Sequence, residues 1–229
     1  MKRLFFILTS STIYLTASGQ HDIGLTANGG LSYLSTKLTS SQTTQKFYFV
    51  PSGHGGLFYN FHLGDKSLLG TELLFIQIEG KERSQIPVTD QYGNPTGQFI
   101  VQDIRRHISY FGIPIYYGYK IKKLTINLGF QILFTLTSSG HSEYQSPIPI
   151  IILPPISDKL NIDSYDYGAR TALTYNLTNK FSIETTYYYG LHNIFKGSPD
   201  WWIWKTQEVT VGLRYKLFSL GGQKSETEK

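Results

Sequence analysis

Segments of about ten residues in which apolar and polar side chains alternate recur along this chain, and the polar partners are often charged. A period of two is that of an extended strand, whose successive side chains point to opposite faces. From Phe181 to Leu191 the odd positions are apolar, aromatic or threonine, whereas Ser182, Glu184 and Gly190 stand among the even ones. Val209 to Leu217 and Leu124 to Ile132 repeat the pattern. No helical period persists anywhere downstream of the first residues. The faces opposite the apolar ones carry Asn127, Gln131, Asp166, Arg170, Glu184, Arg214 and Lys216. One face thus suits lipid and the other a polar lumen.

Collecting every such stretch predicts eight strands, near 22–34, 47–62, 68–80, 100–120, 123–137, 163–177, 180–192 and 206–218. Eight is even, and is the minimum for a bacterial outer-membrane barrel. The connections 63–67, 120–123 and 177–180 are short, whereas 35–46, 81–99, 138–162 and 193–205 are long, and the two kinds alternate. Short periplasmic turns and long outer loops are expected of such barrels, with both termini periplasmic. The expected fold is therefore all-β, an antiparallel transmembrane barrel over residues 20–218. Its competitor is a soluble lipocalin-like barrel or β-sandwich. With 17 Tyr, 14 Phe and 22 Gly against one Met, the composition suits membrane-interface girdles better than a helical core. Pro114 marks the place where a bulge is expected to exchange the two faces.

Met1-Lys2-Arg3 precedes the apolar run Leu4 to Leu8, and Ala17-Ser18-Gly19 supplies small residues. Residues 1–19 therefore read as a secretory signal cleaved after Gly19, too short and too interrupted for a membrane helix. The expected address is the outer membrane of a Gram-negative bacterium. The chain has no cysteine, which excludes lipid acylation, disulfides and zinc–thiolate sites. Its formal charge of +5 is scattered rather than gathered into a stripe, which argues against nucleic acid. The length accommodates one barrel domain, and residues 219–229 read as a flexible periplasmic tail.

The segment Tyr110-Phe111-Gly112-Ile113-Pro114-Ile115-Tyr116-Tyr117-Gly118-Tyr119 resembles the middle strand of PorT-like small outer-membrane barrels. Tyr187-Tyr188-Tyr189-Gly190-Leu191-His192-Asn193-Ile194 resembles the Tyr-rich end of that family's penultimate strand, and Phe218 its aromatic finish. The resemblance spans the chain beyond the signal and implies an address and a fold rather than an activity. That family commonly carries a glutamate and a lysine where this chain has Gly112 and Gly118.

Parity places Glu72, Arg106, Asp166, Arg170, Glu184, Arg214 and Lys216 inside. A lumen of eight strands is only wide enough to be filled by side chains, so these charges are expected to plug it. The alternative is a narrow diffusion pore for small solutes. His107 and Ser109 share a face, with Glu79 on the same parity in the preceding strand. A serine, a histidine base and an orienting carboxylate make the constellation for acyl hydrolysis, and outer-membrane lipid A deacylases use a His-x-Ser pair. Ordinary polar rim residues account for the three more simply. The histidines lack metal spacing, and the glycine pairs are followed by no helix, so neither metal, cofactor nor enzymatic activity is expected. Two outer loops stand out. One is apolar but broken by prolines and carries Ile148, Ile150 and Ile152; the other carries Trp201, Trp202 and Trp204. The expected partners are outer-membrane lipid and a protein or glycan held at these loops.

Overall fold

The computed structural model describes residues 20–38, 44–90, 92, 94–145, 156–196 and 202–221. The signal segment, Ile148, Ile150, Ile152, Trp201 and the tail from 222 onward lie outside these residues, and of Trp202 only the backbone is described. Ten β-segments and no helix occupy them: β1 (Gln20–Leu38), β2 (Thr44–Tyr48), β3 (Val50–His62), β4 (Ser67–Thr89), β5 (Pro95–Ile121), β6 (Leu124–Gln145), β7 (Ile156–Asp158), β8 (Tyr165–Asn176), β9 (Phe181–Gly190) and β10 (Trp202–Leu220). Only Phe49 separates β2 from β3, and both pair with β4, so the two are one interrupted strand. β7 is a short addition to β6. Eight strands remain, each antiparallel to its chain neighbours, and β1 closes the ring by pairing with both β3 and β10. Closure leaves no long unpaired edge, which is what lets a sheet cross a membrane.

Burial alternates residue by residue, most clearly in β8 and β4. Outside stand Leu25, Leu57, Phe75, Ile115, Leu128, Leu173 and Leu213, each more than 40% exposed. A belt of large apolar side chains around the ring is untenable in water and is what lipid requires. Tyr165, Tyr167 and His192 stack near the upper limit of the belt, with ring centroids 5.0 and 5.3 Å from His192. Rings of this kind favour the membrane–water interface.

Three sequence expectations need correction. The first concerns the segments expected to be long loops, into which the strands extend: β4 runs to Thr89, β5 starts at Pro95, β6 runs to Gln145 and β10 begins at Trp202. Lipid enforces the apolar-out pattern only inside the membrane. Beyond it both faces of the sheet are wet, so the sequence signal fades while the backbone ladder continues to satisfy its donors and acceptors.

The second concerns the exchange of faces, which falls at Leu136 rather than at Pro114. Ser109 pairs with Thr137 and Tyr110 with Thr135, leaving Leu136 as the extra residue of a bulge. Pro114 stays in register opposite Gln131 and only interrupts the ladder to β4, where it has no N–H to give. Its carbonyl accepts instead from Thr71 Oγ1 at 2.9 Å.

The third concerns the lumen, which is not lined by polar side chains throughout. Leu34, Leu74, Ile76, Ile78, Ile108, Tyr110, Leu133, Tyr188, Ile194 and Trp204 form a buried apolar cluster inside its outer half. The run Leu73 to Ile76 is apolar on both faces because one meets lipid and the other meets this cluster.

Candidate functional site

Below the apolar cluster, toward the short turns, four charges from four strands converge. Glu72 on β4, Arg170 on β8, Glu184 on β9 and Arg214 on β10 are all at most 4% exposed. Each sits at an inward position of its strand, and the ring brings strands distant in sequence to one level of the lumen. Arg170 Nη2 donates to Glu72 Oε2 at 3.0 Å and lies 3.5 Å from Glu184 Oε1. Arg214 Nη1 lies 3.2 Å from Glu72 Oε1 and donates to Glu184 Oε2. Two carboxylates and two guanidiniums thus neutralise one another across the lumen.

Neutral side chains take up further capacity of the network. Arg214 Nη2 donates to the Tyr116 hydroxyl at 3.0 Å, which in turn donates to Asn60 Oδ1 at 2.8 Å. Thr174 Oγ1 donates to Glu184 Oε2 and accepts from Asn127 Nδ2, both at 3.0 Å. The Arg214 guanidinium lies 4.1 Å from the Phe58 ring centroid. Buried ions need this degree of pairing, because each unpaired one costs several kcal/mol.

The other inward charges stand apart from this quartet. Arg106 Nη1 donates to Glu82 Oε2 at 2.8 Å near the outer end, with its guanidinium 4.3 Å from the Trp204 ring. Asp166 accepts from Thr206 Oγ1 instead of meeting an arginine. Lys216 Nζ lies 3.4 Å from Asp22 Oδ2, which also accepts from His62 Nε2 at 2.9 Å. Sequence reasoning missed Asp22, Glu82 and Tyr116. Glu82 continues the even inward parity of Glu72, but it fell in a stretch read as loop.

His107 Nδ1 and Glu79 Oε1 are 3.1 Å apart on the outer surface, and both side chains are more than 40% exposed. Ser109 is 6% exposed, and among the described residues no hydrogen bond joins it to His107. Of the expected constellation, the described residues show only the His107–Glu79 half joined by a hydrogen bond. Trp204 was expected on an exposed loop. It is instead inside the barrel, 4% exposed and 4.7 Å from the Phe195 ring, because position 204 has inward parity in β10.

The ring and its lipid-facing belt have a counterpart among known families. The model of the outer membrane protein beta-barrel domain matches residues 14–196. The chain belongs to that family. Its place is the outer membrane, with the short turns at the periplasmic end. No curated protein matches the chain. Among solved structures, Ail of Yersinia pestis, in complex with the heparin analogue sucrose octasulfate, is 13% identical at a TM-score of 0.38, over 87% of this chain and 99% of that one. Neisserial surface protein A is 11% identical at a TM-score of 0.44, covering 85% and 97%. OprG of Pseudomonas aeruginosa is 10% identical at 0.39, covering 90% and 98%.

Proposed function

We propose that this is a closed outer-membrane barrel that acts as a structural and interaction protein, held in lipid by its belt and meeting partners through its outer end. The observation that carries this reading is the double obstruction of the lumen, by the Glu72–Arg170–Glu184–Arg214 quartet and by the apolar cluster above it. A diffusion pore needs a continuous wet path, and small barrels packed with side chains offer none. Against hydrolysis through Ser109 stands the lack, among the described residues, of a hydrogen bond from it to the His107–Glu79 pair. The reading includes cleavage of the signal after Gly19 and a finer kinship with PorT-like barrels, supported by the two tyrosine-rich segments.

Contacts with a protein or glycan then fall to the outer hairpins and to the residues joining β6 to β7 and β9 to β10. The test deletes residues 146–155 and screens the refolded protein for binding to surface glycans and to outer-membrane proteins. The expected result is a barrel that still shifts in mobility on heating but loses binding. Equal binding by wild type and deletion would remove these residues from the reading.

A further inference from the structure

The lumen below the quartet is not filled. It widens into a blind cavity of about 740 Å3 that opens at the short-turn end, with Arg214 and Tyr116 among its lining residues. This volume lies within the range of small-molecule sites, about 300–1,000 Å3, but the walls are polar rather than apolar. Asn60, Asn127 and Thr174 line the wall, and Lys120, Lys122, Lys123 and Lys180 line the mouth.

Nothing among the described residues neutralises these four lysines. Asp22, the deepest acid, is engaged by His62, Lys216 and Ser219, and Asp65 is the other acid of the lining. The backbone ladder also sets like charges side by side. The Lys120 N–H donates to the Lys66 carbonyl at 2.7 Å, and the Lys216 N–H to the Lys180 carbonyl at 2.8 Å. Like charges on neighbouring strands repel. Lys122, moreover, is the only non-glycine residue with positive φ among the described residues, at 56°. That conformation favours glycine or asparagine over lysine. Four lysines against Asp65 leave the mouth net positive, and a concave wall with such an excess of one sign concentrates counter-ions.

From these features we infer that the periplasmic vestibule is a binding site for a multiply charged phosphate-bearing ligand. Phosphate fits better than a lone carboxylate. The free cations are lysines, compact point charges with rotatable donors that suit a tetrahedral oxyanion, rather than the planar forks that match carboxylates. Two sources share this chemistry: a soluble phosphorylated compound of the periplasm, or phospholipid headgroups of the inner leaflet.

The full refolded barrel is titrated with inorganic tripolyphosphate in uncharged detergent, and separately reconstituted with phosphatidylglycerol. The first variant carries K120Q, K122Q, K123Q and K180Q. A charge-matched control carries K46Q, K81Q, R105Q and K159Q, away from the vestibule. The site predicts saturable tripolyphosphate binding that weakens about tenfold or more in the first variant, fades with added salt and persists in the control. Binding of tripolyphosphate assigns a soluble ligand. Selective retention of phosphatidylglycerol alone, lost in the first variant, assigns the headgroup. Equal losses in both variants would reduce the effect to net charge and overturn the site, as would an absence of binding to either probe. Binding that appears only after residues 222–229 are removed would also overturn it, giving the lysines to Glu226 and Glu228 of the chain's own C-terminal segment. Retained heat-modifiability in both variants separates lost binding from lost folding.

Discussion

Among single residues, the charges of the quartet are buried only because they are paired. Removing one arginine of the quartet leaves a carboxylate inside a low-dielectric lumen without its partner. Arg214→Met is therefore expected to destabilise the barrel by about 3–5 kcal/mol, read as a lower urea midpoint in lipid vesicles. Adding Glu184→Gln is expected to recover part of that loss, since the double variant again balances one acid against one base. Additive losses would show that the pair does not couple. Gly112 makes a second point. A Cβ there would meet Ile76 Cδ1 at 2.6 Å and Leu133 Cδ2 at 3.1 Å, in the apolar cluster. Gly112→Glu is expected to lower the yield of folded, heat-modifiable barrel, whereas Gly64→Ala, with open space around it, is expected to leave the yield unchanged. The inward parity of Glu72, Arg170, Glu184 and Arg214 is legible in the sequence, because alternation alone assigns each to a face. Their meeting at one height is not, since it depends on the stagger of strands as far as 98 positions apart for Glu72 and Arg170. Tyr116 illustrates the gap. It reads as one tyrosine among many, and only the closed ring places its hydroxyl against Arg214.

At the scale of elements, the strands within lipid are legible and their extensions are not. Phe75 and Phe111 lie near the upper limit of the apolar belt, and above them Lys81, Arg83, Asp103 and Arg105 continue the same ladder with no apolar face to announce it. This outer hairpin is held in part by Arg83, whose Nε and Nη2 donate to the two Asp103 oxygens at 2.7 Å each. That hydrogen-bonded pairing holds the Asp103 carboxyl below its usual range. A depressed carboxylate contributes stability above its unfolded pKa and loses it as pH falls through the folded value. Amide protection in residues 81–89 and 95–105 is therefore expected to drop as the pH falls from 6 to below the ordinary aspartate pKa of about 3.9, ahead of the membrane-embedded strands. Asp103→Asn is expected to abolish that step. An unchanged pH profile in the variant would place the hairpin's stability elsewhere. The bulge at Leu136 explains another limit of pattern reading. One inserted residue reverses the faces above it, so parity carried upward from Gln131 assigns Ser138 to the wrong side.

At the scale of the whole molecule, three layers stack along the barrel axis: an open basic vestibule, a neutral ionic layer and an apolar plug. Alternation and the order of short and long connections are enough to predict the ring and its insertion in lipid. The interior layering is hidden because the sequence reports which face a residue takes and not what lies across a lumen only wide enough for side chains to fill. In the proposed function the two upper layers close the barrel. Single-channel recording of the refolded protein in a planar bilayer tests it directly. A silent membrane is expected from folded, heat-modifiable wild type, with current steps appearing when Ile76, Ile108 and Leu133 are cut to alanine together with neutralisation of the quartet. Discrete steps from the wild type itself, altered by neutralising Arg170 or Glu184, would contradict the closed barrel and make the ionic layer the selectivity element of a pore.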